Sequence, residues 1–318
     1  MTTEFELIDR YFSRPTSDAT LGVGDDAALV EPSPGHELVV TADTIVSGVH
    51  FLPDTEPRSL GNKALAVNLS DLAAMGARPR WALLAVTVPK ADDAWLSAFA
   101  EGFYDLARRH NVALIGGDTT RGPLAITVTA LGEVASGTAL RRDGARVGDE
   151  LWISGQVGSA ALALRHIRGE VRLKGKGLEA CMARLERPIP RVELGQALVD
   201  VASSAIDVSD GLVADAGHIC TCSGVGIEIS YADVPSISEV THLKGDQVIR
   251  EALLAGGDDY ELLFTVPAGE SLQMDSISAR LGLALTRVGR VVAGKEVHVL
   301  DESGEVIAVD IGGYEHFA

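Results

Sequence analysis

The sequence has few cysteines and few aromatic residues. Of its 318 residues, 3 are cysteines and 5% are aromatic. Three cysteines are too few for a disulfide framework, so we expect a reduced protein of the cytoplasm. Cys220 and Cys222 could instead belong to a metal site, but no second cysteine pair accompanies them, and cysteine-bound zinc usually needs one.

Basic residues are also scarce relative to acidic ones. The chain has 27 Lys and Arg against 45 Asp and Glu, a formal net charge of −18. Because nucleic acids and anionic membranes are bound through an excess of Lys and Arg, we expect neither as a partner. The longest uncharged stretch, 151–164, is shorter than the roughly 18 apolar residues of a spanning helix. The first ten residues contain neither the basic region nor the apolar region of a signal peptide, so we expect no signal peptide.

Short runs of β-branched and aliphatic residues alternate with stretches of helical periodicity. In the first half the strand-like runs are 38–41, 82–88, 112–115 and 125–131, and the helical stretches are 60–75 and 92–110. In the second half the strand-like runs are 150–154, 205–208, 260–266 and 288–292, and the helical stretches are 157–166, 192–202 and 212–222. This alternation predicts an α/β or α+β fold. The polar, turn-rich segment 137–149 separates the halves, so we expect two domains, 1–140 and 141–318.

The segment Gly22-Val-Gly-Asp-Asp-Ala27 formally matches the dinucleotide-binding fingerprint G-x-G-x-x-A. That fingerprint requires a strand before it and a helix after it. Here Arg14-Pro-Thr-Ser-Asp18 precedes the segment, and Pro32 follows too soon for a helix. Two adjacent acids would also repel a pyrophosphate unless a cation intervened. We therefore reject a Rossmann site, and the alternative for this segment alone is an ordinary turn.

Four further segments place aspartate at the end of a strand-like run or on an apolar helix. They are Thr41-Ala-Asp-Thr44, Asn68-Leu-Ser-Asp71, Gly116-Gly-Asp-Thr-Thr120 and Asp207-Val-Ser-Asp-Gly211. On the predicted helix, Asn68 and Asp71 share a face with Ala64 and Val67. A buried carboxylate there costs several kcal/mol unless a cation or hydrogen bonds offset it. Taken singly, such an acid is better explained as a capping or solvated group.

Taken together, the recurring acids favour a site for hard cations. The candidates are Asp26, Asp43, Asp71, Asp118, Asp207 and Asp210. Mg²⁺ prefers oxygen ligands and is commonly held by a few carboxylates together with substrate phosphates. Neither the G-x-x-x-x-G-K-[ST] motif nor the protein-kinase motifs occur. The sequence therefore predicts a phosphate-transferring enzyme that works through metal ions, with a nucleotide site of another design.

Six motifs, in this order, resemble the thiamine-monophosphate kinase family of the aminoimidazole ribonucleotide synthetase-like superfamily. They are Gly22-Val-Gly-Asp-Asp-Ala27, Asp43-Thr-Ile-Val-Ser-Gly-Val-His-Phe51, Asn68-Leu-Ser-Asp-Leu-Ala-Ala-Met-Gly76, Gly116-Gly-Asp-Thr-Thr-Arg-Gly-Pro123, Asp207-Val-Ser-Asp-Gly211 and Gly256-Gly-Asp-Asp-Tyr-Glu-Leu262. The resemblance continues to Gly313-Tyr-Glu-His-Phe317 and covers essentially the whole chain. The aspartate motifs are shared across the superfamily, whereas His50-Phe51 and the segment 256–262 point to this family.

The resemblance implies ATP-dependent phosphorylation of thiamine monophosphate to thiamine diphosphate, by direct in-line transfer assisted by several Mg²⁺ ions. It also implies a particular architecture. The sheet of the N-terminal half would pair with that of a second subunit in a homodimer, and the C-terminal half would be a separate α/β domain. The active cleft would lie between the halves.

The resemblance also implies roles for individual residues. The implied metal ligands are Asp26, Thr41, Ala42, Asp43, Asp71, Asp118, Asp207 and Asp210. The residues implied to face ATP are Gly117, Asp118, Arg142, Ser209 and Tyr104, and those implied to contact thiamine monophosphate are His50, Asp258 and Tyr314. On the sequence alone, His50 could equally be a core or surface histidine. A solvated charge is the default interpretation of Arg142, and a residue such as Tyr314 more often packs than binds a ligand.

The chain departs from the family pattern at two positions. The family commonly has Thr or Ser where this chain has Ala42, so any metal contact there must use a backbone carbonyl or Thr41. It commonly has Glu where this chain has Asp258, and the shorter side chain withdraws the charge by about one methylene.

Two alternatives stay open. One is another enzyme of the superfamily, such as a synthetase that activates an amide or selenide with ATP, which would not need His50 or the segment 256–262. The other is a non-catalytic acidic protein that binds Ca²⁺. No EF-hand loop D-x-[DN]-x-[DN]-G is present, and the scatter of the acids from Asp26 to Asp210 favours a converging active site.

Overall fold

The computed structural model describes residues 3–14, 16 and 18–309. The chain divides into two compact units. Unit 1 comprises Met1–Leu72 and Ala77–Ala139, and unit 2 comprises Ala73–Gly76 and Leu140–Ala318. Each unit contains helices and one β-sheet, which confirms the mixed α/β class. Within the described ranges, none of the helices has both the length and the apolar character needed to cross a membrane.

Unit 1 is built on a four-stranded sheet with the order β1-β4-β2-β3. Its strands are β1 (His36–Val46), β2 (Arg78–Val88), β3 (Ala113–Arg121) and β4 (Ala125–Ala135). Its helices are α1 (Glu4–Leu7), a π-helical turn (Ile8–Phe12), α2 (Pro57–Ala74) and α3 (Asp93–Arg109). Strands β2 and β3 run parallel, whereas β4 pairs antiparallel with both β1 and β2. The two edges of the sheet are therefore β1 and β3.

Helices α2 and α3 cross with their backbones in contact. A Cβ atom on Gly61 would lie 2.0 Å from the carbonyl oxygen of Phe99, and one on Gly102 would lie 1.8 Å from that of Arg58. Glycine at these two positions is what lets the helices approach so closely. Helix α2 is apolar on most of its surface, and Leu65 is fully buried, so α2 forms the centre of the unit.

Unit 2 is built on a six-stranded sheet with the order β10-β7-β9-β5-β8-β6. Its strands are β5 (Glu150–Ser154), β6 (Ser204–Asp207), β7 (Gly226–Ser230), β8 (Leu262–Val266), β9 (Leu285–Val292) and β10 (Val297–Leu300). Its helices are α4 (Ser159–Ile167), α5 (Gly175–Glu186), α6 (Val192–Leu198), α7 (Leu212–Ser223), a 3₁₀ turn (Tyr231–Asp233), α8 (Ser238–Thr241), α9 (Gln247–Ala255) and α10 (Ser271–Leu281). Strand β10 runs parallel to β7, and the other neighbours are antiparallel. Buried residues such as Ile227 and Leu263 form its core.

Most of the predicted elements are present, but several differ in extent from the prediction. The strand predicted over 38–41, for example, extends over His36–Val46. The helix predicted over 192–202 ends at Leu198, because Val199 has an extended ψ of 133°. The strand predicted over 112–115 continues to Arg121 through Gly116 and Gly117. A Cβ atom on Gly117 would lie 1.9 Å from the carbonyl oxygen of Leu84. Here the glycines allow β3 to approach β2 closely, so they do not end the strand.

Candidate functional site

In unit 1, polar side chains of β1 and α2 meet on one face of the sheet. The Thr41 hydroxyl donates a hydrogen bond to Asp71. The backbone N–H of Asp43 donates to Oδ1 of Asn68 at 3.1 Å. These contacts bring together two carboxylates, a hydroxyl and an amide oxygen. All of them are hard oxygen donors, the type that Mg²⁺ prefers, so the residues present fit that ion.

Simple periodicities produce this arrangement. Alternate residues of a strand face the same side, which directs Thr41 and Asp43 toward α2 and places the buried Ile45 on that side as well. Asn68 and Asp71 are three residues apart and share one helical face, as the sequence predicted. Ala42 is exposed on the opposite side of β1. Its methyl group therefore points away from Asp71, and only its backbone could contribute to this group.

A cavity of about 850 Å³ in unit 1 brings two other predicted segments together. It is lined by residues 23–28 of the Gly-Asp turn and by residues 114–119 of β3, with Phe12 at its wall. Asp26 and Asp118 both line the cavity and are exposed. No helix follows the turn, since residues 28–35 are irregular. This agrees with the rejection of a Rossmann site.

The two groups of acids in unit 1 lie at opposite edges of the sheet. Asp43 pairs with Val128, which pairs with Leu84, which in turn pairs with Gly117. Two strands thus separate β1 from β3, a distance of about 14 Å at the usual strand spacing. Within unit 1, the predicted metal ligands therefore form two clusters, one at each edge.

Tyr104 and His50 are both held by nearby backbone groups. The buried Tyr104 donates its hydroxyl proton to the carbonyl oxygen of Phe12 at 2.8 Å. The Arg14 guanidinium lies over its ring at 3.5 Å from the centroid. Burial raises the pKa of Tyr104 to about 12. Nδ1 of His50 accepts a hydrogen bond from the N–H of Val46 at 3.1 Å, so a neutral ring carries its proton on Nε2.

In unit 2, the loop after β6 is organised by a residue of the following helix. Asp207 is buried, and Ser209 and Asp210 are half-buried. The Asp215 carboxylate in the first turn of α7 accepts hydrogen bonds from the N–H groups of Ser209, Asp210 and Gly211, each at 3.1 Å. Burial raises the pKa of Asp215 to about 7, the charge of Asp210 adds to this, and the three hydrogen bonds offset it only in part.

A second loop of unit 2, residues 256–261, runs alongside the first. The N–H of Asp258 donates to the carbonyl oxygen of Ser209, and that of Tyr260 donates to Val208, both at 2.8 Å. The N–H of Val208 in turn donates to Glu261 at 2.8 Å. The Tyr260 hydroxyl donates to Oδ1 of Asp258 at 2.9 Å. The predicted substrate contact Asp258 is thus attached to the predicted metal loop through the backbone.

Two buried acids support this second loop from beneath. Oδ2 of Asp259 accepts the N–H of Gly158 at 2.6 Å, at the start of α4. Its Oδ1 has no hydrogen-bond partner among the described residues, and burial raises the pKa of Asp259 well above its usual value. Glu261 pairs with the Arg191 guanidinium through both oxygens and accepts the Ser154 hydroxyl at 2.5 Å. These contacts fix the loop to the core of unit 2.

The remaining predicted residues lie elsewhere or outside the described ranges. Arg142 is exposed in the loop before β5, and its carbonyl oxygen accepts the Ser223 hydroxyl at 2.7 Å. Tyr314 and the segment around it, 313–317, lie outside the described residues.

Asp215 and Tyr260 contact predicted site residues but were not themselves predicted. An acid in the first turn of a helix after Ser-Asp-Gly is a recognisable capping signal, and it could have identified Asp215. In the part of the chain that the structure describes, Asp210, Asp215 and His218 each bring one ligand atom within 4.8 Å of the others. No sequence signal identifies Tyr260, because its contact depends on an unusual local backbone.

Comparison with protein families defines the class of this protein. Residues 24–134 match the sequence model of the AIR synthase related protein N-terminal domain, and residues 146–302 match that of the C-terminal domain. The N-terminal match lies mainly in unit 1, and the C-terminal match lies in unit 2. The fold is therefore that of a two-domain AIR synthase related protein.

Individual relatives narrow the class. Thiamine-monophosphate kinase of Escherichia coli is 44% identical over 99% of this chain and 98% of its own length. The structure of thiamine-monophosphate kinase from Stenotrophomonas maltophilia has a TM-score of 0.85 at 47% identity, covering 95% of this chain and 96% of that one. The structure of AaThiL complexed with AMPPCP and TMP has a TM-score of 0.77 at 32% identity, covering 93% of this chain and 92% of that one. The chain belongs to the AIR synthase related family and, within it, to the thiamine-monophosphate kinases, which confirms the resemblance seen in the motifs.

Proposed function

We propose that this protein transfers the γ-phosphoryl group of ATP to thiamine monophosphate, forming thiamine diphosphate and ADP. The observation that carries the proposal is the group of oxygen donors in unit 1, where Asp43, Asp71 and Thr41 lie together. Such donors suit a phosphoryl transfer that depends on hard cations. The binding of AMPPCP and TMP by the relative AaThiL supports both substrates.

We infer that Mg²⁺ ions are held by the oxygen atoms that the sequence singled out. The proposed ligands are Asp26, Thr41, Ala42 through its carbonyl, Asp43, Asp71, Asp118, Asp207 and Asp210. When bound, Mg²⁺ neutralises the negative charge of the phosphates and of the transferred group. The remaining task of the protein is to position the two substrates for direct, in-line transfer without a covalent intermediate.

For the nucleotide we assign Gly117, Asp118, Tyr104, Arg142 and Ser209. A cavity of about 850 Å³ beside Gly117 and Asp118 lies within the usual size range of small-molecule sites, which supports this assignment. Tyr104 would act indirectly, because its hydroxyl holds the backbone of a residue that lines the cavity. The exposed Arg142 guanidinium would offer two parallel N–H donors to a phosphate.

For thiamine monophosphate we assign His50, Asp258 and Tyr314. The Nε2–H group of His50 is a donor suited to a phosphate oxygen, and the hydrogen bond from Val46 orients the ring. The Asp258 carboxylate is oriented by the Tyr260 hydroxyl and would face the cationic part of the substrate. Tyr314 would offer an aromatic face to that same cationic ring system.

The test is an assay with purified protein, ATP, Mg²⁺ and thiamine monophosphate, in which the products are separated by chromatography. We expect thiamine diphosphate and ADP in equal amounts. Failure to form thiamine diphosphate at saturating substrate concentrations would contradict the proposal. ADP formation that does not depend on thiamine monophosphate would favour the synthetase alternative.

Asp71→Asn tests the oxygen-donor group within the same assay. It keeps the shape of the side chain but removes its charge, so we expect turnover to fall by about 100-fold or more, as when an electrostatic contributor is lost. Circular dichroism should be unchanged. Asp54→Asn, at an exposed position of the same unit, is the matched control and should retain full activity. Normal turnover in Asp71→Asn would exclude Asp71 as a metal ligand.

We further propose that the protein works in the cytoplasm as a homodimer. All three cysteines are free, which suits a reducing compartment. On the side of β1 turned away from α2, Leu38 is 39% and Val40 is 59% exposed. An apolar edge strand of this kind suits pairing with a second copy of the sheet.

A further inference from the structure

One carboxylate organises the backbone of the Asp207–Gly211 loop. Asp215 is 2% exposed, and its Oδ2 atom accepts three hydrogen bonds of 3.1 Å from consecutive N–H groups, those of Ser209, Asp210 and Gly211. Three successive N–H groups can point at one atom only if the backbone dihedrals between them are fixed. The acid therefore selects one conformation for this short loop.

The conformation selected is one that requires glycine at position 211. Gly211 has a φ of +122°, and a Cβ atom there would lie 2.8 Å from the backbone of Ala255. Because glycine can adopt many backbone conformations, contacts from the surroundings are what select this one. Without Asp215, three N–H groups of a half-buried loop would lose their acceptor, and the loop could relax to other conformations.

Asp215 could instead be a cation ligand, since its carboxylate lies within 4.8 Å of ligand atoms of Asp210 and His218. Its surroundings disfavour this. Three N–H dipoles and the N-terminus of the 12-residue helix α7 all point their positive ends at the carboxylate. A cation at the same oxygen would meet those positive ends directly. The Oδ2 atom is therefore already used as a hydrogen-bond acceptor by three N–H groups, which leaves it poorly placed to ligate a cation.

We propose that Asp215 is a positioning residue that holds Ser209 and Asp210 in the geometry needed for Mg²⁺ and nucleotide binding. The inference rests on the proposed function, which assigns those two residues to the nucleotide and a metal ion. The effect extends to the neighbouring loop, because Ser209 and Val208 accept backbone hydrogen bonds from Asp258 and Tyr260. Disorder in the first loop therefore also disturbs the proposed substrate contact Asp258.

A pair of variants separates positioning from ligation. Asp215→Asn removes the charge but keeps an oxygen that can accept the three N–H groups, whereas Asp215→Ala removes both. If Asp215 positions the loop, the Mg²⁺ concentration for half-maximal activity should change less than about threefold in Asp215→Asn and rise at least tenfold in Asp215→Ala. The KM for thiamine monophosphate should rise in Asp215→Ala as well. Asp275→Ala, at an exposed position of α10, is the control and should behave as wild type.

Hydrogen–deuterium exchange of the ligand-free protein tests the same contact without any substrate. The peptide spanning residues 207–212 should exchange at least tenfold faster in Asp215→Ala and at nearly the wild-type rate in Asp215→Asn. Hydrogen exchange does not require activity toward thiamine monophosphate. The experiment therefore tests the role of Asp215 independently of the proposed kinase function.

The activity and exchange experiments can each support or overturn the positioning role of Asp215. Equal loss of Mg²⁺ activation in Asp215→Asn and Asp215→Ala would overturn the proposal, because it would show that the charge is required. Unchanged exchange in Asp215→Ala would also overturn it. A failure of Asp215→Ala to fold, beside a folded and active Asp215→Asn, would support the proposal, because both variants lose the same charge.

Discussion

Asp258 and Tyr260 adopt left-handed backbone conformations, with φ of +73° and +53°. For residues with a side chain this region costs about 1 kcal/mol or more each. The hydrogen bonds of their N–H groups to Ser209 and Val208, with the buried Asp259 between them, hold the loop against that cost. Strain of this kind is common where a loop must present a functional side chain, and in this loop the residue with a proposed function is Asp258.

Tyr260→Phe tests whether the orientation of Asp258 matters for the substrate. The change removes only the hydroxyl that donates to Asp258 at 2.9 Å, a contact worth about 1 kcal/mol. We expect the KM for thiamine monophosphate to rise about fivefold, while kcat and the KM for ATP change less than about twofold. Steady-state kinetics with each substrate varied in turn measures this.

The control for this variant is Tyr231→Phe. It also removes a hydroxyl, one that donates to the carbonyl oxygen of Lys244 at 2.8 Å, and neither residue is assigned to a substrate. An unchanged KM in Tyr260→Phe, or the same rise in both variants, would show that the hydroxyl does not act through Asp258.

Glu133 shows how unit 1 accommodates a fully buried carboxylate. Burial alone would raise the pKa of Glu133, but the N–H and hydroxyl of Ser33 and the guanidinium groups of Arg78 and Arg80 outweigh it, and the pKa is lowered to about 2. The distances to the two arginines are 2.8 and 2.5 Å. Its ionised form is therefore the one that the folded protein stabilises.

The sign of the pH dependence follows from this shift. Because the pKa in the folded protein is lower than in the unfolded chain, the stabilisation by Glu133 is complete above about pH 5. It is lost progressively as the pH falls toward about 2. Glu133→Gln should lower the free energy of unfolding by about 3 kcal/mol at pH 7, and the deficit should shrink at pH 3. Urea denaturation at both pH values measures this, and a deficit that stays constant would argue against the ion pairs.

At the scale of secondary-structure elements, the crossing of α2 and α3 depends on glycine. A Cβ atom on Gly102 would lie 1.8 Å from the carbonyl oxygen of Arg58, so Gly102→Ala must push the two helices apart. Since α2 carries Asn68 and Asp71, a displaced α2 would also disturb the oxygen-donor group. The close crossing thus links the packing of unit 1 to its proposed metal ligands.

Replacing glycine by alanine should have opposite effects on stability in α3 and in α7. Gly102→Ala should destabilise the protein by at least about 2 kcal/mol through overpacking. Gly217→Ala lies within α7, where a Cβ would meet nothing within 4 Å, and it should stabilise by up to about 1 kcal/mol through helix propensity. Thermal unfolding of both variants beside the wild type measures the difference. A stable Gly102→Ala variant would show that the crossing can relax.

Particular elements show what local sequence can and cannot predict. The strand over 150–154 was predicted with its observed bounds, because a polar turn and Gly155 frame an apolar run. The face shared by Asn68 and Asp71 was also predicted, because helical periodicity alone determines it. The continuation of β3 through Gly117 was missed, since it depends on the close approach of β2, a contact between residues distant in sequence. The roles of Asp215 and Tyr260 depend on loop geometry in the same way.

At the scale of the whole molecule, the net charge of −18 is consistent with phosphate-bearing substrates only if cations accompany them. The proposed function gives a task to the clustered aspartates, which hold Mg²⁺ next to the phosphates. Of the remaining acids, some are buried in ion pairs, as Glu133 and Glu261 are, and others, such as Asp54 and Asp275, are exposed. The positions of the acids therefore carry more information about function than their total.

The outer side of β1 supports a specific prediction about assembly. Strand β1 is an edge of its sheet and is 11 residues long, and Leu38 and Val40 are exposed on it. A long edge strand with exposed apolar side chains tends to pair with another chain. If a second copy of the protein covers this side, Val40→Lys should convert the dimer to a monomer, because it would place a charge within the interface.

Sedimentation velocity over a range of protein concentrations measures this change. The matched control is Val306→Lys, because Val306 is 62% exposed and Val40 is 59% exposed, but Val306 lies in unit 2. We expect the control to sediment as the wild-type dimer. A wild-type protein that sediments as a monomer at all concentrations would contradict the homodimer itself. A Val40→Lys variant that stays dimeric would instead place the interface on another surface, because a buried, unpaired lysine is costly enough to dissociate most interfaces.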